Sequence, residues 1–114
     1  MRIIVIGATG NVGTALLRRL HAAEAVSAIA GVSRRGPERG GEPYDGVEWH
    51  RIDVSDPGSG GALERVLSGA DAVVHLAWII RPNRDEQLLE RTNLEGSRRV
   101  FEAAASAGVP HLVV

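Results

Sequence analysis

Cysteine and lysine are both missing from this chain of 114 residues. Without cysteine the chain forms no disulfide, carries no thiolate nucleophile and binds no metal through sulfur. The four histidines are scattered without the spacing of metal ligands, so we predict no metal site. The absence of cysteine is compatible with a reducing compartment, and we expect the protein in the cytoplasm.

Long runs of a single charge and long apolar runs are missing as well. The 13 basic and 14 acidic residues leave a formal net charge of -1. This balance gives no electrostatic basis for binding nucleic acid or a membrane surface, so we predict neither partner. The first apolar run, residues 3–6, is far shorter than the core of a signal peptide, and no stretch approaches the roughly 18 apolar residues of a membrane span.

The hydrophobic residues that are present, 44% of the chain, fall into short β-branched runs that alternate with helical patterns. This alternation predicts an α/β fold, namely a Rossmann-type doubly wound parallel sheet in one domain over residues 1–114. The predicted strands are residues 2–6, 27–33, 47–52, 72–78 and 111–114. Right-handed crossovers most simply give the strand order 3-2-1-4-5, and ligands then bind beyond the carboxyl ends of strands 1 and 4.

Apolar residues at three- and four-residue spacing predict helices between the strands. The first helix covers about residues 11–23, and its predicted buried stripe is Val12, Leu16, Leu20 and Ala23. The second carries Leu63, Val66 and Leu67, and the third and longest carries Leu89, Asn93, Gly96, Val100, Ala104 and Ala107.

Residues that cap or break helices predict where these elements end. Asp56 followed by Pro57 can cap and start a helical turn, and Gly69 suits the left-handed position after the second helix. Gly108 and Pro110 stop the third helix. The glycines, prolines and charges of residues 34–46 rule out regular structure and predict a surface loop.

The glycine-rich run Gly7-Ala8-Thr9-Gly10-Asn11-Val12-Gly13 directly follows the first strand and opens the first helix. In this context one glycine permits the tight turn, one lets backbone N–H groups approach a pyrophosphate, and one allows close helix packing. The helix N-terminus adds partial positive charge. The run therefore predicts a dinucleotide site, the alternative being a glycine-rich turn without a ligand.

Residues after the second and third strands can contact the adenosine half of such a cofactor. Ser33, Arg34 and Arg35 stand where NAD-binding proteins carry a carboxylate for the ribose, so a guanidinium could pair with the 2'-phosphate of NADP. The alternative is two solvated arginines. Asp53 can accept a hydrogen bond from the adenine amino group, or it can be an ordinary turn carboxylate.

Four segments of the sequence, GATGNVG, DV at 53 and 54, DAVVHLAW and NLEGSRRVFEAAASAGVPHLVV, together resemble the extended short-chain dehydrogenase/reductase family of the epimerase/dehydratase kind. The resemblance covers nearly the whole chain. It implies NAD(P) binding, hydride transfer with a nucleotide sugar or another hydroxyl-bearing small molecule, and a homodimer built on the long helix. The alternative is a non-catalytic NAD(P)-binding sensor or regulator, since GATGNVG occurs in such proteins too.

The resemblance also implies roles for individual residues. The pyrophosphate would lie against Gly7, Gly10, Asn11 and Val12. Asp53 and Val54 would surround the adenine, and Leu76 and Ala77 the nicotinamide-side ribose. Asn93 would lie near the nucleotide, the alternative being a buried polar residue that ties helix to loop.

Two departures from the family pattern matter. Trp78 stands where the family often has a small residue, which changes the local pocket; with Ile79 and Ile80 it could line a ligand site or simply form a wall. The family's Tyr-x-x-x-Lys pair lies beyond the fifth strand, and here the single tyrosine, Tyr44, has no lysine to act with. We therefore assign no catalytic residue and expect these 114 residues alone to be inactive, with the sheet truncated after strand five.

Overall fold

The computed structural model describes residues 1–77 and 91–114. Its parallel strands form a sheet in the order β3-β2-β1-β4-β5, which confirms the predicted α/β fold and topology. The strands are β1 (Arg2–Ile6), β2 (Ala28–Ser33), β3 (Glu48–Arg51), β4 (Ala72–His75) and β5 (His111–Val113). The helices are α1 (Asn11–Ala22), α2 (Gly60–Leu67) and α3 (Ser97–Ala107), with a 3₁₀ turn at Pro57–Ser59 and a π-type turn at Arg91–Gly96.

Strand β1 lies at the centre of the sheet and contributes to both of its buried faces. Because side chains alternate along a strand, Ile4 and Ile6 face one side and Ile3 and Val5 the other. The first pair packs with buried residues of α2 and α3, among them Leu63, Leu67, Val100 and Ala104. The second pair packs with Leu17 of α1. Burial on both faces explains the nearly continuous apolar sequence of this strand.

The predicted stripe of α1 is wrong at its ends. Val12 is 66% exposed and Ala23 is exposed, whereas Gly13 and Leu17 are buried and Leu16 and Leu20 are half-buried. Helical spacing allows both sets. The close approach of Gly13 to the backbone of the preceding loop selects the second set, because a helix can meet another backbone closely only through a glycine.

Residues 34–46 form neither helix nor strand, as predicted, but their placement wholly on the surface is wrong. Pro43 is fully buried and Tyr44 half-buried. His21 Nε2 lies 2.8 Å from the Pro43 carbonyl oxygen, and the Tyr44 hydroxyl lies 2.9 Å from Thr14 Oγ1. These contacts hold the second half of the loop against α1.

The predicted element ends are largely confirmed. Asp56 caps the 3₁₀ turn by accepting a hydrogen bond from the Gly58 N–H, and Gly69 and Gly108 are left-handed, with φ of +81° and +71°. Strand β4 ends at His75, earlier than predicted. Trp78, Ile79, Ile80 and Leu89 lie outside the described residues.

Apolar side chains in β5 and just after it are exposed. Leu112 is 36%, Val113 53% and Val114 75% exposed. Within residues 1–77 and 91–114, no helix is both long enough and apolar enough to cross a membrane.

Candidate functional site

An open cleft of about 340 Å³ lies at the carboxyl ends of β1 and β4, where the order of the strands reverses. This is the position at which doubly wound sheets bind their ligands. Of the residues singled out from the sequence, those that line the cleft are Gly7, Gly10, Ser33, Arg34, Asp53, Val54, Leu76 and Ala77. Asn11, Val12, Gly13, Arg35 and Asn93 lie outside this lining.

The three glycines of the loop meet different physical demands. Gly7 has a φ of +85°, and a Cβ there would lie 2.8 Å from Ala77 N. A Cβ on Gly13 would lie 2.5 Å from the Gly7 carbonyl oxygen. At Gly10, φ is -73° and the nearest atom to such a Cβ is 3.6 Å away, an ordinary contact. The fold itself therefore requires glycine at positions 7 and 13, whereas position 10 opens on free space.

Among the residues that the structure describes, the N–H groups at the N-terminus of α1 have no acceptor and lie beside that space. Gly10 is the N-cap and supplies no side-chain cap, and the Thr14 N–H donates to the Gly10 carbonyl at 2.8 Å. The N–H groups of Asn11, Val12 and Gly13 precede this first helical bond and have no intrahelical acceptor. The first turn carries no acidic residue. Such a terminus can hold a phosphate-like anion.

The arginines after β2 belong to a larger basic group. Ser33 is buried, and its hydroxyl accepts a hydrogen bond of 2.8 Å from the Gly36 N–H, while Arg34 and Arg35 are exposed. Arg34 also lines a neighbouring cleft of about 730 Å³, together with Arg18, Arg35 and Arg39. Sequence reasoning missed Arg18 and Arg39, because only the folding of the 34–46 loop onto α1 brings them to this cleft. Glu38 and Glu42 partly offset the charge.

The turn after β3 is tightly bonded. Asp53 Oδ1 accepts from Ser55 N at 3.0 Å and from Ser55 Oγ at 2.6 Å. Arg99 Nη1 of α3 donates to the Val54 carbonyl at 2.7 Å. Asp53 thus has the structural role of a turn carboxylate, and it also lines the cleft. No sequence signal pointed to Arg99, which is 45 residues away along the chain.

Two further polar residues lie in the turn before α3 and at the end of β4. Asn93 is half-buried in the turn Arg91–Gly96. His75 is 4% exposed, and its Nε2 lies 2.9 Å from Ser97 Oγ, so the buried ring has a hydrogen-bonding partner. Burial lowers the pKa of His75, so the neutral ring is favoured. In the part of the chain that the structure describes, no cluster of three or more histidine, aspartate or glutamate side chains could hold a metal.

Comparison with known proteins agrees with this geometry. The family model for the NAD dependent epimerase/dehydratase family matches residues 3–114. L-arabinose 1-dehydrogenase (NAD(P)(+)) of Haloferax volcanii is 34% identical over 112 residues, which cover 98% of this chain and 39% of that enzyme. Uronate dehydrogenase of Pseudomonas putida is 28% identical with the same coverage, 98% and 39%.

A solved structure shows the same likeness. The Bordetella bronchiseptica enzyme WbmG in complex with NAD is 28% identical and superimposes with a TM-score of 0.77 over 98% of this chain and 36% of that one. A second structure of WbmG contains NAD and UDP. The chain therefore spans little more than a third of each of these proteins. The match over nearly its whole length shows that the chain belongs to the NAD dependent epimerase/dehydratase family.

Proposed function

We propose that this chain is the NAD(P)-binding portion of an oxidoreductase that transfers a hydride to or from a hydroxyl- or carbonyl-bearing small molecule. The observation that carries the proposal is the open space at Gly10, beside the free N–H groups of α1 and at the reversal of the strand order. A structural glycine loop would need small residues at positions 7 and 13 only. The third glycine fits a pyrophosphate that must approach the backbone closely.

The remaining cleft residues fit the other parts of a dinucleotide. Asp53 and Val54 line the part of the cleft next to the end of β3, where the adenine would lie. Within the described residues, the Asp53 carboxylate accepts its two hydrogen bonds at Oδ1. Oδ2 would accept the adenine amino group. Leu76 and Ala77 line the cleft beyond β4 and would contact the nicotinamide-side ribose. Asn11 and Val12 are exposed at the helix N-terminus and would contact the pyrophosphate. Asn93, half-buried in the turn Arg91–Gly96, would lie near the nucleotide.

When bound, the nicotinamide accepts or donates the hydride at its C4 carbon. The protein residues described above would bind and orient the cofactor, but none of them is placed to move a proton to or from a substrate. Tyr44, the only tyrosine, hydrogen-bonds Thr14 on the α1 side, and the chain contains no lysine. We therefore expect the 114 residues to bind cofactor without turnover. Turnover by them at the rate of the full-length protein would contradict this expectation.

The relatives support a sugar or sugar derivative as substrate. Two of them are named as dehydrogenases of arabinose and of uronates, and WbmG has been solved with NAD and UDP. A nucleotide sugar or a free sugar is therefore the substrate class that we propose for the full protein. Assaying full-length protein on a panel of both kinds would distinguish them.

We propose NADP as the preferred cofactor, on the basis of the arginines at the end of β2. Arg34 lines the cleft. It also lines the neighbouring cleft, together with Arg18, Arg35 and Arg39. One charge-assisted bond to the 2'-phosphate is worth about 1.5 to 3 kcal/mol, or at least about tenfold in affinity. Arg34→Gln should remove that preference, whereas Arg19→Gln, on α1 and outside both clefts, should keep it. Equal or tighter binding of NAD by the unsubstituted protein would contradict the preference.

Binding at the glycine loop is tested by a bulky residue at the open position. Gly10→Val should weaken dinucleotide binding by more than about tenfold in isothermal titration, because the side chain fills the space the pyrophosphate needs. Gly61→Val in α2 is the matched control, since nothing lies within 4 Å of a Cβ there. Unchanged binding by a folded Gly10→Val protein would show that the cofactor lies elsewhere.

We also propose a homodimer built on the last helical segment. Leu94 is 60% exposed and Phe101 42% exposed, and contact with a second copy would bury both. Light scattering on the full-length protein should give twice the chain mass, and Phe101→Glu should shift it toward the monomer. A monomer at every concentration for the unsubstituted protein would contradict the proposal.

A further inference from the structure

The turn after β3 is held from behind by one stretch of the last helical segment. Val54 is buried, and a Cβ on Gly96 would lie 3.1 Å from Val54 Cγ2, so the absence of a side chain at 96 allows the close approach. Three residues further on, Arg99 Nη1 donates to the Val54 carbonyl at 2.7 Å. The segment therefore contacts the main chain of the turn as well as its side chain.

The guanidinium of Arg99 is itself fixed in place. Its side chain is only 16% exposed, and Nη2 lies 3.6 Å from Glu95 Oε2, one turn earlier. The burial of its side chain and this ion pair limit the freedom of the guanidinium to release the carbonyl. A hydrogen bond from a charged donor, largely shielded from water, is among the stronger bonds available to a backbone oxygen.

The carbonyl that Arg99 holds belongs to the peptide unit that also orients Asp53. The Val54 carbonyl and the Ser55 N–H are the two ends of one trans peptide and point in opposite directions. The Ser55 N–H donates to Asp53 Oδ1 at 3.0 Å. Fixing the oxygen on the Arg99 side therefore fixes the N–H on the cleft side, and with it the direction of the carboxylate. The cation also polarises the peptide and strengthens this second bond.

We propose that Arg99 is a positioning residue for adenine recognition, acting on the Asp53 carboxylate through the peptide between Val54 and Ser55. The proposal rests on the proposed function, in which Asp53 Oδ2 accepts the adenine amino group. Arg99 does not touch the nucleotide. It holds Oδ1 in its bond with Ser55 and so leaves Oδ2 turned toward the base.

The test compares ADP with purine riboside 5'-diphosphate, an analogue that lacks the amino group, by calorimetric titration of the full-length protein. The unsubstituted protein should prefer ADP by about tenfold or more, as expected for a bond to a charged acceptor. Arg99→Met should reduce this ratio to about threefold or less. Arg98→Met is the matched control, because the Arg98 side chain is 80% exposed and pairs with Glu102 at 2.9 Å, and it should keep the full ratio.

The ratio of the affinities for ADP and the analogue distinguishes a positioning role of Arg99 from a purely stabilising one. If Arg99→Met weakens both ligands equally and keeps the ratio, Arg99 supports the fold alone and the proposal is wrong. If the unsubstituted protein shows no preference for ADP, the adenine contact of Asp53 is wrong and this proposal falls with it, whereas binding of both ligands would leave the pyrophosphate site intact. Arg99→Lys, which keeps one donor, should retain an intermediate ratio; it decides the question if Arg99→Met does not fold.

Discussion

Replacing Gly13 by alanine should destabilise the fold, because the added methyl group has no room. The ideal Cβ would lie 2.5 Å from the Gly7 carbonyl oxygen and 2.7 Å from the Ala8 carbonyl oxygen. Both are backbone atoms of the loop and cannot rotate aside as a side chain would. Overpacking of this kind costs up to about 3 kcal/mol, and the better helix propensity of alanine returns about 1 kcal/mol. We expect a net loss of about 2 kcal/mol in the free energy of unfolding.

Urea denaturation followed by circular dichroism measures this loss, and two other glycines provide controls. Gly10→Ala should stay within about 1 kcal/mol of the unsubstituted protein, since its Cβ meets nothing closer than 3.6 Å. Gly61→Ala in α2 should be neutral or stabilising by up to about 1 kcal/mol. If Gly13→Ala were as stable as these controls, α1 would not pack on the loop as described, and the assignment of separate roles to the three glycines would fail.

Three further predictions concern stability. Because burial lowers the pKa of His75, the unfolded state takes up the proton first as the pH falls below about 6.5, and the unfolding free energy should fall with it. His75→Gln should flatten this dependence in urea titrations, and an unchanged slope would contradict it. Asp56→Ala removes the cap on Gly58 and should lower the free energy of unfolding by about 1 kcal/mol. Asp56→Ser should recover most of this free energy. Tyr44→Phe should lower the free energy of unfolding by about 1 kcal/mol, because Thr14 loses its hydrogen-bond partner. Equal melting temperatures of the variant and the unsubstituted protein would refute this.

Local patterns predicted most of the fold. The β-branched runs gave the strands to within a few residues, and right-handed crossovers left one simple order for them. The buried face of α1 was not predictable in this way, because two overlapping stripes fit helical spacing. Only the contact between Gly13 and the loop backbone, a tertiary feature, chooses between them.

The predictable part of the candidate site consists of residues whose type suggests a function and that come soon after a strand in the sequence. The glycine loop follows β1 directly and Asp53 lies two residues after β3, so they fall at the same edge of the sheet. Arg18 and Arg39 were not predictable, because their meeting depends on how the 34–46 loop folds, and Pro43 and Tyr44 fix that loop on α1. Arg99 reaches its carbonyl from a distant helix, which no local pattern encodes.

Backbone amide chemical shifts test the binding of a dinucleotide at the glycine loop most directly. In ¹⁵N-labelled full-length protein titrated with NADPH, the amides of Asn11, Val12 and Gly13 should shift in a saturable way, since they are the free donors at the N-terminus of α1. The amide of Ser55, in the turn that would face the adenine, should shift with them. Saturable binding of NADPH or NADH that leaves the amides of residues 10–13 unmoved, or no binding of either, would contradict the account.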